Sequence, residues 1–213
     1  MLFNDSDRAR IMAAVAEAES LTAGEIVVIV ATDGHRYAAT GLSAAALLAL
    51  AVPMAALWLP LGGWDQSLSP KTSIEALIAV QALVFGAVLA LTWFTGLGRA
   101  LAPAGLRRDR VHRAALTQFK ARGLEATTGR TGVLIFIDEP EHIAEIIADT
   151  GIYAKVAPDH WGETITALTN GIKAGTPADG VVAAVALAGG VLAEHFPHSA
   201  DDVNELPDGL IEI

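Results

Sequence analysis

Two long stretches without a single charged residue dominate the hydropathy pattern of this chain. They cover residues 38–61 and 76–98, with a short polar segment between them. A helix rises about 1.5 Å per residue, so roughly 20 apolar residues cross a hydrocarbon core about 30 Å thick. The pattern therefore predicts a hairpin of two transmembrane helices. The alternative is a pair of helices buried in a protein core.

Outside these stretches, apolar residues recur at helical spacing in some segments and form short β-branched runs in others. The β-branched runs predict buried strands, and the last two form a hairpin around a tight turn. The predicted order is a helix at 4–20, a strand at 25–31, a helix at 107–122, strands at 132–138 and 142–148, a turn at 149–151, and helices at about 158–173 and 180–196.

These elements predict an α/β fold, a small mixed sheet sandwiched by helices, with the transmembrane hairpin inserted after the first strand. The first and second strands are expected to be parallel, because a long crossover joins them. The expected domains are the first part of the α/β domain at 1–37, the hairpin at 38–98, the rest of the α/β domain at 99–198 and an acidic tail at 199–213. We expect the tail to be solvated and partly ordered, since it carries five acids and no basic residue.

The basic residues near the two apolar stretches predict how the hairpin is oriented. The segment between the stretches holds only Lys71, whereas the other side carries a group of arginines: Arg36, Arg99, Arg107, Arg108, Arg110 and Arg113. Basic residues are retained on the cytoplasmic side, so both termini and the α/β domain are expected in the cytoplasm. The formal net charge of −10 argues against nucleic acid as a partner. The expected partner of the apolar stretches is the lipid bilayer.

Small residues repeat every four positions in both apolar stretches, a spacing that permits close helix packing in lipid. Chance in alanine-rich segments is the alternative explanation. Gln81 is the one strongly polar side chain deep in either stretch, and we expect it to hydrogen-bond the partner helix. The repeated positions are Gly41, Ala45 and Ala49 in the first stretch and Ala82, Gly86 and Ala90 in the second.

Three segments that are far apart in sequence are expected to converge at the end of the sheet where the two parallel strands begin. Two interpretations of the acids there remain open: an ion pair with turn capping, or a metal or anion site in which Asp149 and Glu25 are the metal ligands. Calcium would need further oxygens from backbone carbonyls or water. The candidate residues are Glu25, Thr127, Thr128, Arg130, Thr131, Asp149 and Gly151.

No catalytic constellation stands out in the sequence. The chain has no cysteine, which excludes thiolate nucleophiles and cysteine-ligated zinc, and it has no Gly-x-Ser-x-Gly motif. Asp138, Glu139, Glu141 and His142 form an acidic group at the hairpin turn, interpreted as a solvated turn with ion binding as the alternative. We therefore assign no catalytic residue.

Several of these segments, in this order and spacing, resemble the TPM domain family, named after a thylakoid-lumen protein, a photosystem II repair protein and a receptor accessory protein. The resemblance covers residues 5–32 and 123–197. Two later motifs are similar to a bacterial membrane-anchored branch of the family with a hairpin inside the domain. The segments are GEIVVIVA at 24–31, TGRTGVLIFI at 128–137, IADTGI at 147–152, HFP at 195–197 and NELP at 204–207.

The resemblance implies an α/β/α sandwich and a loop site that binds calcium in some family members; phosphatase activity has been proposed for some. The implied site falls on Arg130, Thr131, Gly132, Asp149 and Gly151, where this chain departs from the family's paired Asn and from its glycine pair ending in an acid. We expect a protein of the bacterial plasma membrane that acts as a non-enzymatic accessory module for an unidentified membrane-protein partner. The alternatives are a metal-dependent phosphatase using Asp149 and Arg130, and a calcium-responsive regulator binding Ca²⁺ or another divalent cation.

Overall fold

The computed structural model describes residues 2–34, 37–58, 70–198, 205–206 and 209–213, without the side chains of 56–58, 70–73 and 158. The chain forms two compact units. One comprises Met1–Gly34 and Arg107–Ile213, and the other comprises His35–Leu106. Arg36 and the side chain of Lys71, which the orientation argument uses, lie outside the described residues.

The first unit alternates helices and strands, as the hydropathy pattern predicts. Short 3₁₀ turns at Leu124–Ala126 and Pro158–His160 precede β2 and α7. The elements are α1 (Asp5–Glu19), β1 (Glu25–Ala31), α5 (Ala104–Ala121, whose first turn belongs to the second unit), β2 (Gly132–Asp138), β3 (Ile143–Ala148), α6 (Thr150–Tyr153), α7 (Trp161–Ala174), α8 (Pro177–His195) and β4 (Leu210–Glu212).

The strands form one mixed sheet in the order β3-β2-β1-β4. β1 and β2 are parallel over seven residues each, with Glu25 opposite Gly132 and Ala31 opposite Asp138. β2 and β3 form the predicted antiparallel hairpin. Every residue of β1 and β2 is buried. The predicted mixed α/β class, the parallel β1–β2 pair and the antiparallel β2–β3 hairpin are therefore confirmed.

The C-terminal tail is ordered at residues 210–212, which form β4 parallel to β1, a strand that the sequence pattern did not predict. Its backbone is tied further by the Ile213 amide, which donates to the Val30 carbonyl at 3.0 Å, and by the Thr32 amide, which donates to the Ile213 carbonyl at 2.8 Å. Tertiary pairing decided this element, because a three-residue run inside an acidic segment carries little periodic signal.

Helices cover both faces of the sheet, so the molecule has two apolar cores. On one face, residues such as Val28 and Ile135 pack with α1, α7 and α8. On the other face, Ile29 and Phe136 pack with α5, whose buried residues are Val111, Ala115 and Phe119. The sandwich therefore buries alternate residues of each strand against different helices.

Local chemistry sets several helix ends. Asn4 and Asp7 form a reciprocal capping box at the start of α1. Gly123 adopts a left-handed conformation (φ 75°) directly after α5, as a helix-terminating glycine does. Asp149 was expected in a turn, and instead its side chain caps the short helix α6. Acceptor side chains favour both outcomes, and the residues that follow decide between them.

The second unit contains α2 (Ala38–Trp58), α3 (Pro70–Phe94) and α4 (Leu97–Ala100). α2 and α3 pack as an antiparallel pair, since Gly41 lies against Thr92 and the Gln81 side chain donates to the Ala49 carbonyl at 3.2 Å. A methyl group at Gly41 would come within 2.6 Å of the Thr92 hydroxyl. The predicted interhelical bond of Gln81 is confirmed, and the small residues of α2 face α3.

The small residues of α3 do not line this contact. Ala82, Gly86 and Ala90 are exposed, and nothing lies within 4 Å of a methyl group added at Gly86. Equal spacing on both helices does not select which face turns inward, and here the Gln81 and Thr92 contacts set the rotation of α3. Within this pair, the stripe on α3 therefore fits the alternative that the sequence left open, chance spacing in an alanine-rich helix.

Within the described residues, three helices are long and apolar enough to cross a membrane: α2 over Ala38–Ala55, α3 over Ile74–Phe94, and α8. Burial separates them, because none of the α3 window is buried, whereas 44% of the α8 window is. Large apolar side chains are exposed on both helices of the second unit, including Leu47 on α2 and Leu83 and Phe94 on α3. This composition indicates membrane association.

Two adjacent glycines in α8 allow a matched stability test. A methyl group at Gly189 would lie 2.6 Å from the Ala18 Cβ on α1, whereas one at Gly190 would have no neighbour within 4 Å. We expect Gly189→Ala to lower the free energy of unfolding by about 1–3 kcal/mol through overpacking. Gly190→Ala should be neutral or stabilise by up to about 1 kcal/mol. Thermal melting of both variants checks this, and equal melting temperatures would contradict the close α1–α8 packing.

Candidate functional site

The three predicted segments do meet at one end of the sheet. Glu25 pairs with Gly132 at the first position of the parallel ladder, and its amide donates to the Thr131 carbonyl at 3.2 Å. The Asp149 amide donates to the Gly132 carbonyl at 2.9 Å. We call residues 127–131, together with Glu25, Asp149 and Gly151, the loop end of the sheet.

Tight backbone packing shapes the loop end. A methyl group at Gly151 would lie 2.3 Å from the Gly129 carbonyl oxygen and 2.6 Å from the Arg130 carbonyl oxygen. Gly129 and Arg130 both have positive φ, at 93° and 54°. Only glycine at 151 permits this approach, and a left-handed arginine is a strained conformation. The start of α6 therefore fixes the path of the 127–131 loop.

The buried threonines of this loop serve its backbone. The Thr127 hydroxyl accepts from the Thr131 amide at 3.0 Å, and the Thr131 hydroxyl donates to the Ala23 carbonyl at 3.0 Å. Both residues are nearly inaccessible to solvent. Of the predicted loop residues, only Thr128 and Arg130 are exposed at the surface.

Glu205 occupies the loop end and was missed as a site residue. The Thr128 amide donates to both carboxylate oxygens of Glu205, at 2.8 and 3.1 Å. The Glu205 amide in turn donates to Glu25 Oε1 at 3.0 Å. The NELP motif marks Glu205 in the sequence, but no local pattern indicates that the chain returns here after α8.

Asp149 is 5% exposed and acts as a helix cap. Its Oδ1 accepts from the Thr150 amide at 2.6 Å and from the Thr150 hydroxyl at 3.1 Å. Its Oδ2 is buried and has no hydrogen-bond partner among the described residues. Of the first interpretation, the capping is present and the ion pair is not: no ion pair joins the described residues Asp149 and Arg130, because the Asp149 carboxylate is oriented toward α6 while Arg130 remains in solvent.

The side chains of the loop end do not form a metal cage. Among the described residues, no group of three or more His, Asp or Glu side chains is arranged to hold a metal ion. Among the described residues, Asp149 Oδ2 combines burial with an open hydrogen-bonding position. A cation at this place would depend on backbone carbonyls and water for most of its ligands.

The acidic group at the opposite end of the sheet is only partly the solvated turn that was predicted, since His142 is exposed and Glu139 is half-buried but the other two acids are not exposed. Asp138 and Glu141 are buried, at 0% and 3% exposure. Asp138 Oδ1 accepts from the Glu141 amide at 3.0 Å, and Arg107 Nη1 lies 3.7 Å from Glu141 Oε2. Burial is tolerated because the turn backbone and Arg107 offset the negative charge. These acids brace the β2–β3 turn against α5.

Comparison with known proteins adds evidence on the fold alone. No protein-family model and no curated protein matches the chain. A solved structure does: the NMR structure of BA42 protein from the psychrophilic bacterium Bizionia argentinensis. The two share 19% sequence identity and superpose with a TM-score of 0.60, over 99% of this chain and 95% of BA42. The α/β fold is thus shared with a known structure.

Substitution of Gly151 tests whether α6 fixes the loop. We expect Gly151→Ala to displace residues 129–130, because the new methyl group would overlap two backbone carbonyl oxygens that have no flexible side chain to yield. The expected cost is about 1–3 kcal/mol, with faster hydrogen exchange at the Thr131 amide. Gly162→Ala, where a methyl group meets nothing within 4 Å, is the control. Unchanged exchange at Thr131 in Gly151→Ala would disprove the contact.

Proposed function

We propose that this protein is a TPM-type module anchored in the bacterial plasma membrane by the α2–α3 hairpin, with both termini and the α/β unit in the cytoplasm. In this proposal it acts as a non-enzymatic accessory that binds a membrane-protein partner. The sequence resemblance to the TPM family and the one-sided arginines support the assignment.

The observation that carries this proposal is that the loop end is occupied by its own chain. The hydroxyls of Thr127 and Thr131 bond backbone groups, Asp149 caps α6, and the Thr128 amide holds Glu205. Catalytic groups must instead reach a substrate from the open side of a site. Polar groups engaged in this way stabilise a shape, which suits a binding module better than an enzyme.

The apolar surface of the second unit supports membrane anchoring. Leu83 and Phe94 are 71% and 84% exposed. Surfaces of this kind are stable in lipid and aggregate in water. Gln81 gives its hydrogen bond to the Ala49 carbonyl of the neighbouring helix. A side-chain bond of this kind is favoured where water is scarce.

Affinity capture tests the accessory role. We expect the tagged full chain, extracted in mild detergent, to recover one membrane protein at a constant stoichiometric ratio, measured by quantitative mass spectrometry. The same tag on an unrelated two-span protein is the control. Repeated recovery of the chain alone, after cross-linking in intact cells, would count against the accessory role.

A second candidate, cation binding with or without phosphatase activity, rests on Asp149 Oδ2. This oxygen is buried and unpartnered within the described residues, a state that normally costs about 1–3 kcal/mol. A cation would remove that cost. Arg130, whose backbone lies against Gly151, is exposed and could hold a phosphate group.

Asp149→Asn tests this candidate, because an amide retains the capping oxygen and removes the charge. If a cation binds, calorimetry of the purified chain with calcium should show saturable heat that Asp149→Asn abolishes. Asp159→Asn, at an exposed position, is the matched control. No heat at millimolar calcium removes the calcium role, and equal phosphate release by wild type and Asp149→Asn removes the phosphatase.

A further inference from the structure

A short segment after α8 attaches to the α/β unit at two places. We call residues 205–206 and 209–213 the clasp. Glu205 binds the loop end, and β4 pairs with the edge of β1. Between these attachments Leu206 packs against the same apolar core as Ile211 and Ile213. The clasp therefore lies against the loop end, the β1 edge and the core under α5, and we call the surface that it covers the groove.

The two ends of the groove recognise different chemistry. At the loop end a backbone amide, that of Thr128, faces a carboxylate. Along β1 the recognition is through backbone pairing of Val28, Ile29 and Val30 with residues 210–212. Arg8 closes the far end through an ion pair with Glu212 at 2.7 Å. The groove thus contacts, in order along the segment, a carboxylate, an extended strand and a second acid.

The clasp is the least buried strand of the sheet. All three residues of β4 are only partly buried, whereas every residue of β1, its neighbour in the sheet, is buried. Glu205 is exposed, and β4 pairs over three residues against seven in the β1–β2 ladder. Segments with few buried contacts open before the rest of a domain does. Opening of the clasp exposes the edge of β1 at three apolar residues, Val28, Ile29 and Val30.

We propose that this groove is a peptide-binding groove and that the clasp is its resident occupant. The external partner of the groove is an extended segment of another protein. It carries a carboxylate that reaches the Thr128 amide, followed by an apolar strand that pairs parallel to β1. Strand addition of this kind uses backbone bonds for affinity and side-chain positions for specificity. The inference rests on the proposed accessory function and deepens it by giving the partner's chemistry.

The clasp competes with such a partner from within the chain. A tethered segment acts at an effective concentration of roughly millimolar. Weakening the clasp must therefore raise the affinity for an added peptide, while strengthening it must exclude the peptide. These opposite effects separate a binding groove from a purely structural strand.

The first experiment uses the full chain in lipid nanodiscs and a fluorescein-labelled peptide with the sequence of residues 203–213. Glu205→Ala removes the bond to Thr128 at an exposed position, and we expect it to bind the peptide about tenfold more tightly than the wild-type chain does. Glu125→Ala, which removes an exposed acid beside the loop, is the control and should match wild type. Equal anisotropy titrations for Glu205→Ala and Glu125→Ala would overturn the proposal.

The second experiment locks the clasp. The chain has no cysteine, so Val28→Cys with Leu210→Cys introduces one pair at opposed positions of β1 and β4. Paired residues of neighbouring strands lie about 5 Å apart, within disulfide range. We expect the oxidised protein to bind no peptide and the reduced form of the same sample to bind it. Equal binding by both forms overturns the proposal even if the substitutions destabilise the fold, because the two forms share them.

Results for the partner remain separable from results for the groove. If the peptide binds only when the disulfide is reduced and no membrane partner is captured, the result supports the groove and rejects the accessory function. A captured partner with lock-independent peptide binding supports the accessory function and rejects the groove.

Discussion

β1 is paired along both edges and packed on both faces, and this double engagement organises the α/β unit. Its ladder with β2 brings Glu25 beside Gly132 and thereby assembles the loop end. Its other edge receives β4, and its two faces supply alternate residues to the two cores. Removing apolar strands from water supplies most of the driving force for this arrangement. Helices α1, α5 and α8 are positioned by the faces they cover.

Charge at the two ends of the sheet is handled in different ways. At the β2–β3 turn, Asp138 and Glu141 are buried with Arg107 nearby. At the loop end, the Thr128 amide donates a hydrogen bond to the Glu205 carboxylate, and the Thr150 amide at the start of α6 donates one to Asp149. An acid satisfied by backbone amides needs no basic side chain, which explains how an acidic chain assembles this end without using Arg130.

Much of the fold was accessible from the sequence, since β1 and β2 are continuous apolar runs and α5 has a clear apolar face. Convergence of Glu25, Thr131 and Asp149 followed from the parallel β1–β2 pair together with the antiparallel β2–β3 hairpin. β4 and Glu205 were not accessible, because their placement depends on the route of the chain after α8. The acids at 138–141 were misjudged because a charged turn reads as solvated when its partner, Arg107, is far away in sequence. The rotation of α3 was likewise decided by Gln81 and Thr92.

Insertion of the apolar unit between β1 and β2 has a kinetic consequence. Glu25 and Gly132 are partners in the ladder but are 107 positions apart. At a synthesis rate of about 5–20 residues per second, β1 is synthesised roughly 5–20 seconds before β2. Throughout that interval a seven-residue strand of six aliphatic residues after Glu25 has both edges open. An unpaired apolar strand is prone to aggregate, so this order of synthesis makes β1 the most exposed apolar strand of the nascent α/β unit until β2 is made.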